Sequence, residues 1–139
     1  MIILLDTNIV MDALQERHPF DVEAKDILIH AQKVEFSCYI TANTITDIFY
    51  LYSKVRNLQS ARQVLKLLLT NYKIISVTHE DCINALSIPI EDYEDALMVT
   101  CANKVNVDYI ISRDSKFTHD DLPVKVIEPK DFLRIISER

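Results

Sequence analysis

Short apolar, β-branched runs alternate along the chain with longer stretches in which apolar residues recur at helical spacing. The short runs predict five strands: Ile2–Leu5, Phe36–Ile40, Ile74–Val77, Tyr109–Ser112 and Val124–Ile127. The longer stretches predict helices: Asn8–Arg17, Phe20–Lys33, Thr44–Arg56, Leu58–Tyr72, Glu80–Ser87, Tyr93–Val105 and Lys130–Ser137. Because helices separate the strands, the pattern predicts an α/β fold with a mostly parallel five-stranded sheet covered on both faces.

Length and composition are those of one compact domain. The 139 residues, 49% of them hydrophobic, can bury a core over residues 1–139 without disulfides or a structural metal. Cys38, Cys82 and Cys101 form no C-x-x-C pair, which fits a reducing cytosol. No leader precedes the first strand, and no uncharged apolar stretch reaches the roughly 18 residues of a bilayer span. We therefore expect a cytoplasmic protein without a membrane partner.

The chain contains no glycine, and this excludes several kinds of site. A P-loop, a G-x-G-x-x-G dinucleotide fingerprint and a G-x-S-x-G nucleophile elbow all need glycine where the backbone turns tightly or approaches a ligand. The four histidines show no spacing typical of zinc ligands. Nucleotide-binding loops, serine hydrolases of that type and histidine-rich zinc sites are therefore not expected.

Charge is distributed unevenly along the chain. The formal net charge is -6, yet residues 48–79 contain no acid. That window carries five cations: Lys54, Arg56, Arg62, Lys66 and Lys73. A solvated helix face and a surface that contacts a nucleic acid backbone both explain such a window.

Several acids lie where a parallel sheet would bring them together. Asp6 directly follows the first predicted strand and Asp114 follows the fourth, at the edge where α/β sheets bind ligands. Local roles are also available, because Asp47 could complete a capping box with Thr44. In the late helix, Asp92 could be the N-cap and Asp95 lies in the first turn, where the helix dipole favours an acid.

Helix capping explains each of these acids separately but not their convergence. Carboxylates crowded into one cleft repel each other unless a divalent cation holds them ionised. Oxygen ligands favour hard ions such as Mg²⁺ or Mn²⁺, which can activate water and stabilise charge on a phosphoryl oxygen. The pattern therefore favours hydrolysis of a phosphodiester.

Four segments in this order resemble the PIN domain family: "LLDTNIVMDAL", "ITANTITDIFYL", "DYEDALMVTCA" and "IISRDSKF". The resemblance runs over nearly the whole chain and implies a three-layer α/β/α sandwich. It implies that Asp6 is the central metal ligand and that Asp95 and Asp114 are further ligands. Asp47 stands where the family usually has glutamate, and its side chain is one methylene shorter.

The resemblance also implies roles for neighbouring side chains. Thr7 or Asn8 would orient Asp6, and Ser112 matches a hydroxyl position near the metal. Lys116 replaces a second acid of the family's late motif, a loss for which Asp92 could compensate. The residues expected to contact RNA are Lys54, Arg56, Arg62, Lys66, Arg113 and Lys116.

Many PIN domains are Mg²⁺- or Mn²⁺-dependent ribonucleases, and small prokaryotic ones resemble VapC toxins that a partner antitoxin holds inactive. The resemblance therefore implies an endoribonuclease that acts on single-stranded or structured RNA, with an antitoxin partner. The apolar helical stretches Ile45–Val55 and Val64–Leu69 would suit a homodimer face.

Two other functions are compatible with parts of the pattern. A non-catalytic PIN-like module that binds nucleic acid or protein is favoured by Asp47 and Lys116, the two departures from the family. A phosphoryl-transfer domain of the haloacid-dehalogenase or receiver type also has an aspartate after its first strand. The former type needs a second acid at position 8, which is Asn8. The receiver type needs an acidic pair before its phosphoacceptor and a lysine after the last strand, and neither is apparent.

Overall fold

A computed structural model of the chain describes residues 1–33, 35–114, 117 and 121–139. Five strands form one sheet in the order β3-β2-β1-β4-β5, and all four pairings are parallel. The strands are β1 (Ile2–Leu5), β2 (Ser37–Thr41), β3 (Lys73–Ile75), β4 (Tyr109–Ile111) and β5 (Lys125–Ile127). The predicted α/β fold with a five-stranded parallel sheet is therefore confirmed.

Seven helices connect and follow the strands in the described part of the chain. They are α1 (Thr7–Leu14), α2 (Phe20–Gln32), α3 (Ala42–Val55), α4 (Leu58–Asn71), α5 (His79–Asn84), α6 (Tyr93–Lys104) and α7 (Pro129–Ser137). A short 3-10 turn, Ala85–Ser87, follows α5 where the sequence predicts one continuous helix. None of the described helices has the length and apolar character needed to cross a bilayer.

The start of α3 differs from the prediction. The helix begins at Ala42, with Thr41 as its N-cap, so Thr44 lies inside the first turn and is not the cap. The Thr44 hydroxyl instead lies 2.9 Å from Oγ1 of Thr41. The predicted capping box between Thr44 and Asp47 is wrong, because helical structure starts two residues earlier than the apolar spacing indicates.

The apolar run of β1 is explained by its place in the middle of the sheet. Ile3 and Leu5 belong to the core on one face, together with buried residues of α1, α2, α3, α4 and α7. Leu4 belongs to the core on the opposite face, where α6 packs. A parallel strand that is buried on both faces has no position for a polar side chain. The first polar residue after Met1 is therefore Asp6, where β1 ends.

An ion pair between a buried acid and an exposed lysine joins α5 to α6. The Asp81 side chain is 5% exposed, and its Oδ2 accepts a hydrogen bond from Nζ of Lys104 at 2.6 Å. The same ammonium donates to the carbonyl oxygen of Ser76, just after β3, at 2.9 Å. Asp81 and Thr78 also form a capping box at the start of α5. The hydrogen bond from Lys104 lowers the pKa of Asp81 from its usual value. The hydrogen bonds between Asp81 and Thr78 lower this pKa further.

This ion pair makes stability depend on pH. Because the folded-state pKa of Asp81 is lowered, its contribution is present above the unfolded pKa of about 4 and is lost as the pH falls through the lowered value. We expect Lys104→Met to reduce the free energy of unfolding at pH 7 by about 2 kcal/mol, because it leaves a buried carboxylate without its cation. The measurement is thermal unfolding of both proteins at pH 7, 5 and 3.

The difference between wild type and Lys104→Met should narrow as the pH falls below about 4, because protonated Asp81 no longer needs the cation. Lys130→Met, at an exposed lysine of α7, is the matched control and should leave stability nearly unchanged at each pH. A destabilisation by Lys104→Met that is equally large at pH 7 and pH 3 would contradict the role of the ion pair.

Candidate functional site

Asp6 lies at the junction of β1 and α1. It is the N-cap of α1, and its Oδ1 accepts a hydrogen bond from the backbone N–H of Thr7 at 2.7 Å. Its Oδ2 accepts one from the hydroxyl of Ser112 at 2.7 Å and one from Nδ2 of Asn8 at 3.3 Å. Only 9% of Asp6 is exposed. The contacts hold this carboxylate at the carboxyl edge of the sheet.

Hydrogen bonds hold the segment after β4 next to Asp6. The hydroxyl oxygen of Ser112 accepts hydrogen bonds from the backbone N–H of Asp114 at 3.1 Å and from Nδ2 of Asn8 at 3.4 Å. Ser112 therefore bridges the acid that follows β1 and the acid that follows β4. The residues that the sequence predicts to orient Asp6 contact it: Asn8 and Ser112 through their side chains and Thr7 through its backbone.

The four predicted site acids line one cleft of about 380 Å³. We call it the acidic cleft; its acidic residues are Asp6, Asp47, Glu94, Asp95 and Asp114. Thr7, Asn8, Met11, Arg17, Tyr50 and Leu51 complete the lining. The topology thus brings together acids from the junction of β1 and α1, from α3, from α6 and from the segment after β4, although positions 6 and 114 are far apart in sequence.

Two residues of α6 qualify the prediction. Asp92 is not part of the cleft lining but caps α6, because its Oδ1 accepts a hydrogen bond from the backbone N–H of Asp95 at 3.2 Å. Glu94, which is not among the predicted site residues, lines the cleft together with Asp47. The crowding of acids in residues 91–95 is the signal that could have identified it.

Burial and neighbouring acids raise the pKa values of three carboxyl groups in the cleft: Asp6, Glu94 and Asp95. Burial, followed by the charges of Asp92, Asp6, Asp114 and Glu94, raises the pKa of Asp95 to about 7. The hydrogen bond with Asp47 and burial raise the pKa of Glu94 to about 7. Burial also raises the pKa of Asp6, against the lowering effect of its bonds from Ser112 and Thr7. The cleft is therefore a site where negative charge is unfavourable without a cation.

The donor set of the cleft fits a hard divalent cation. All its acidic groups are carboxylates, and oxygen ligands are those that Mg²⁺ and Mn²⁺ prefer. An ion would also relieve the repulsion that raises the pKa of Asp95. In the present conformation, however, the described residues contain no group of three or more Asp, Glu, His or Cys side chains that could together hold a metal ion. The carboxylates would have to move closer together to surround one.

The cations of the basic window lie on the surface of the α3 and α4 region. Lys54, Arg56, Arg62 and Lys66 are all exposed. Nζ of Lys54 lies 4.3 Å from the ring centre of Tyr50, which lines the acidic cleft. Contact of these four residues with RNA stays a prediction. Lys116, the fifth predicted contact, lies outside the described residues.

Arg113, the sixth predicted RNA contact, binds a buried acid of the protein itself. Its Nε and Nη2 donate to the two carboxylate oxygens of Asp12 at 2.7 and 3.1 Å. The Asp12 side chain is 1% exposed, and Nη1 of Arg17 approaches it to 3.7 Å. The guanidinium also lies 4.1 Å from the ring centre of Phe20. These contacts give Arg113 a structural role, and its contact with RNA stays a prediction.

The sequence analysis misses Asp12 and Arg17. Asp12 lies within the apolar run of α1, and a carboxylate among buried neighbours needs a cation. That requirement is readable from sequence, but the identity of the cation is not, because Arg113 is distant in the chain. Arg17, which reaches both Asp12 and the acidic cleft, follows α1 directly and was the nearer candidate.

A sequence model described as PIN domain matches residues 2–116. No curated protein matches the chain.

Solved structures of similar fold include proteins of toxin-antitoxin pairs. VapBC2 from Rickettsia felis, bound to a promoter DNA fragment, gives a TM-score of 0.68 at 20% identity and covers 92% of this chain and 98% of that chain. A toxin-antitoxin complex from Klebsiella pneumoniae gives 0.68 at 22% identity, with 91% and 96% covered. VapC20 from Mycobacterium tuberculosis, a sarcin-ricin loop cleaving toxin, gives 0.70 at 12% identity, with 86% and 95% covered. At these identities the likeness shows a shared fold.

The bond between Arg113 and Asp12 yields a stability prediction. We expect Arg113→Met to reduce the free energy of unfolding by about 3 kcal/mol, because Asp12 stays buried and loses both hydrogen bonds from the guanidinium, while Arg17 approaches it only to 3.7 Å. Chemical denaturation followed by circular dichroism measures the change. Arg134→Met is the matched control, because its partner Asp131 is 53% exposed, and it should cost no more than about 0.5 kcal/mol. Equal losses in the two variants would show that the Asp12 pair does not stabilise the fold.

Proposed function

The chain belongs to the PIN domain family, and from that premise we propose that it is a metal-dependent endoribonuclease that hydrolyses phosphodiester bonds of RNA. The observation that carries the proposal is the acidic cleft, in which carboxylates from four segments of the chain meet at one edge of the sheet. Structural ion pairs elsewhere in the protein join an acid to a base. In this cleft, burial together with the charges of neighbouring acids instead raises the pKa of Asp95 to about 7.

In this proposal Asp6, Asp95 and Asp114 would hold Mg²⁺ or Mn²⁺, with Asp47 as a further ligand. When bound, the ion would supply a water of lowered pKa and would stabilise negative charge on a phosphoryl oxygen. Asn8, Ser112 and the backbone N–H of Thr7 hold the Asp6 carboxylate in one orientation.

Asp47 and Glu94 act as a pair in this proposal. Asp47 is one methylene shorter than the usual glutamate, and Glu94 lines the same cleft, where the neighbouring Asp47 helps to raise the pKa of Glu94. In this proposal Glu94 adds a carboxylate of α6 beside that of Asp47 on α3, so that the cleft offers an ion a further acid despite the shorter side chain at position 47.

The basic surface and the proposed partners complete this function. Exposed Lys54, Arg56, Arg62 and Lys66 would attract the RNA backbone towards a cleft that would otherwise repel it. An antitoxin partner is supported by the structures of similar fold, two of which contain toxin-antitoxin pairs. A homodimer through α3 and α4 is supported by exposed apolar residues there: Val55, Leu58, Leu67 and Leu69. We propose the cytoplasm as the location.

A second candidate function is a non-catalytic PIN-like module that binds nucleic acid or protein. It is favoured by the present arrangement of the carboxylates, in which no described group of three or more could hold an ion. The two candidates differ in their response to metal and to a loss of charge in the cleft.

Asp6→Asn tests catalysis. An asparagine can still accept the capping bond from Thr7, so the fold should persist, but the central charge of the cleft is lost. We expect cleavage of single-stranded RNA in Mn²⁺ to fall by a factor of about 100 or more. The measurement is the rate of product formation on a labelled RNA, resolved by gel electrophoresis.

Asp26→Asn is the matched control for this experiment. Asp26 is an exposed acid of α2 that does not line the acidic cleft, so the same change of charge there should leave the cleavage rate unaltered. Wild type that leaves RNA intact in Mn²⁺, under conditions in which related nucleases cut it, would remove the enzyme proposal.

Mn²⁺ itself should stabilise the folded protein. An ion at about 100 times its dissociation constant adds about 2.7 kcal/mol, so the melting temperature of wild type should rise by several degrees. Asp6→Asn should show a much smaller rise, and Asp26→Asn the full rise. A melting temperature of wild type that does not respond to Mn²⁺ would favour the non-catalytic module.

A further inference from the structure

One face of α3 changes its chemistry along the helix axis. Asp47, Tyr50, Leu51 and Lys54 have the i, i+3, i+4, i+7 spacing that places side chains on a common face. The first three line the acidic cleft. Lys54 lies next to the cleft, with its ammonium over the ring of Tyr50. An acid, an aromatic ring and a cation therefore follow each other out of the cleft.

Tyr50 does not serve the hydrophobic core. Its side chain is 56% exposed, whereas Ile48 on the inner face of the same helix is completely buried. Nζ of Lys54 lies 4.3 Å from the ring centre of Tyr50, so a cation covers part of the ring and more than half of the side chain remains open to solvent. An open aromatic ring beside a cation is the combination that proteins use to hold an unpaired base and its phosphate.

The spacing along α3 matches this use. Tyr50 lies about 4.5 Å along the helix axis from Asp47, and Lys54 about 6 Å further on, at a rise of 1.5 Å per residue. A nucleotide whose base stacks on Tyr50 would have one neighbouring phosphate near the carboxylates and another near Lys54. The edge of Leu51, which is 36% exposed, offers apolar contact to the same base.

We propose that Tyr50 is the stacking platform for an unpaired nucleobase of the RNA in the acidic cleft, and that Lys54 binds the adjoining phosphate. This inference rests on the proposed function, because it assumes that RNA enters the cleft. Stacking requires a base that is free of its pairing partner, so the substrate is single-stranded RNA or a loop. Because every base has a stacking face, Tyr50 contributes affinity with little choice among bases.

The test is the affinity of labelled single-stranded oligouridine, measured by fluorescence anisotropy in the Asp6→Asn background so that the RNA stays intact. We expect Tyr50→Leu to raise the dissociation constant about 5- to 100-fold, which is the loss of one stacked base. Tyr50→Phe and Tyr50→Trp should retain the affinity, because each keeps a ring. Since Tyr50 is exposed, the melting temperature of each variant should stay close to that of its parent.

An abasic oligomer of the same length separates stacking from charge. Tyr50→Leu should not change its affinity, because no base is present. Lys54→Met should weaken binding of both oligomers. It should also reduce the slope of the logarithm of affinity against the logarithm of salt concentration by about 1, because one phosphate contact is lost. A loss with Tyr50→Leu that persists on the abasic oligomer would overturn the stacking role.

Phe20→Leu is the matched control. Phe20 is 46% exposed and lies against a cation, Arg113, but it does not line the acidic cleft. Equal effects of Phe20→Leu and Tyr50→Leu on RNA affinity would also overturn the proposal. Unchanged RNA affinity in Tyr50→Leu would overturn it too, and would indicate that the exposed ring contacts a protein partner instead. Wild type that binds oligouridine through Tyr50 without cleaving any RNA would instead reject the nuclease function and retain the stacking site.

Discussion

Repulsion between carboxylates at one edge of a parallel sheet is the constraint on which the rest of the structure depends. β1 lies in the centre of the sheet and is buried on both faces, so its end delivers Asp6 to the middle of that edge. Asp95 and Asp114 arrive there from α6 and from the segment after β4, and their charges add to the burial that raises pKa values in the cleft. A fold that gathers these acids is favourable only with a compensating cation or proton.

The protein treats its other buried acids differently. Asp12 is held by Arg113 and approached by Arg17, and Asp81 is held by Lys104. Those acids are neutralised within the fold and join elements together. This contrast gives a physical criterion that separates structural acids from candidate functional ones. Asp81 has a lowered pKa and is bound by a base, whereas Asp95 has a raised pKa and acidic neighbours.

The sequence was sufficient to predict the sheet and most of the acidic cleft, because both follow from local patterns. Apolar runs such as Ile2–Leu5 locate strands, and an acid at a strand end marks the ligand-binding edge. Contacts between distant residues were not predictable: Arg113 meets Asp12 across 101 positions, and Glu94 meets Asp47 across the cleft. The start of α3 also escaped prediction: its N-cap, Thr41, makes no side-chain capping hydrogen bond, so the local signal that marks many helix starts is not used here.

The absence of glycine limits how this chain can bind phosphate. Turns with positive φ are made by Glu16 and Asn106, and no glycine-rich loop is available to bring backbone N–H groups against a phosphate. Negative charge on a substrate must therefore be met by side chains or by a bound cation. The exposed cations of α3 and α4 lie outside the acidic cleft, and Arg17, which lines it, also approaches the buried Asp12. A single arginine does not balance five acidic side chains, so a divalent ion is the group best able to bring phosphate and carboxylates together. The same electrostatic argument thus supports both the metal and the basic surface in the proposed nuclease.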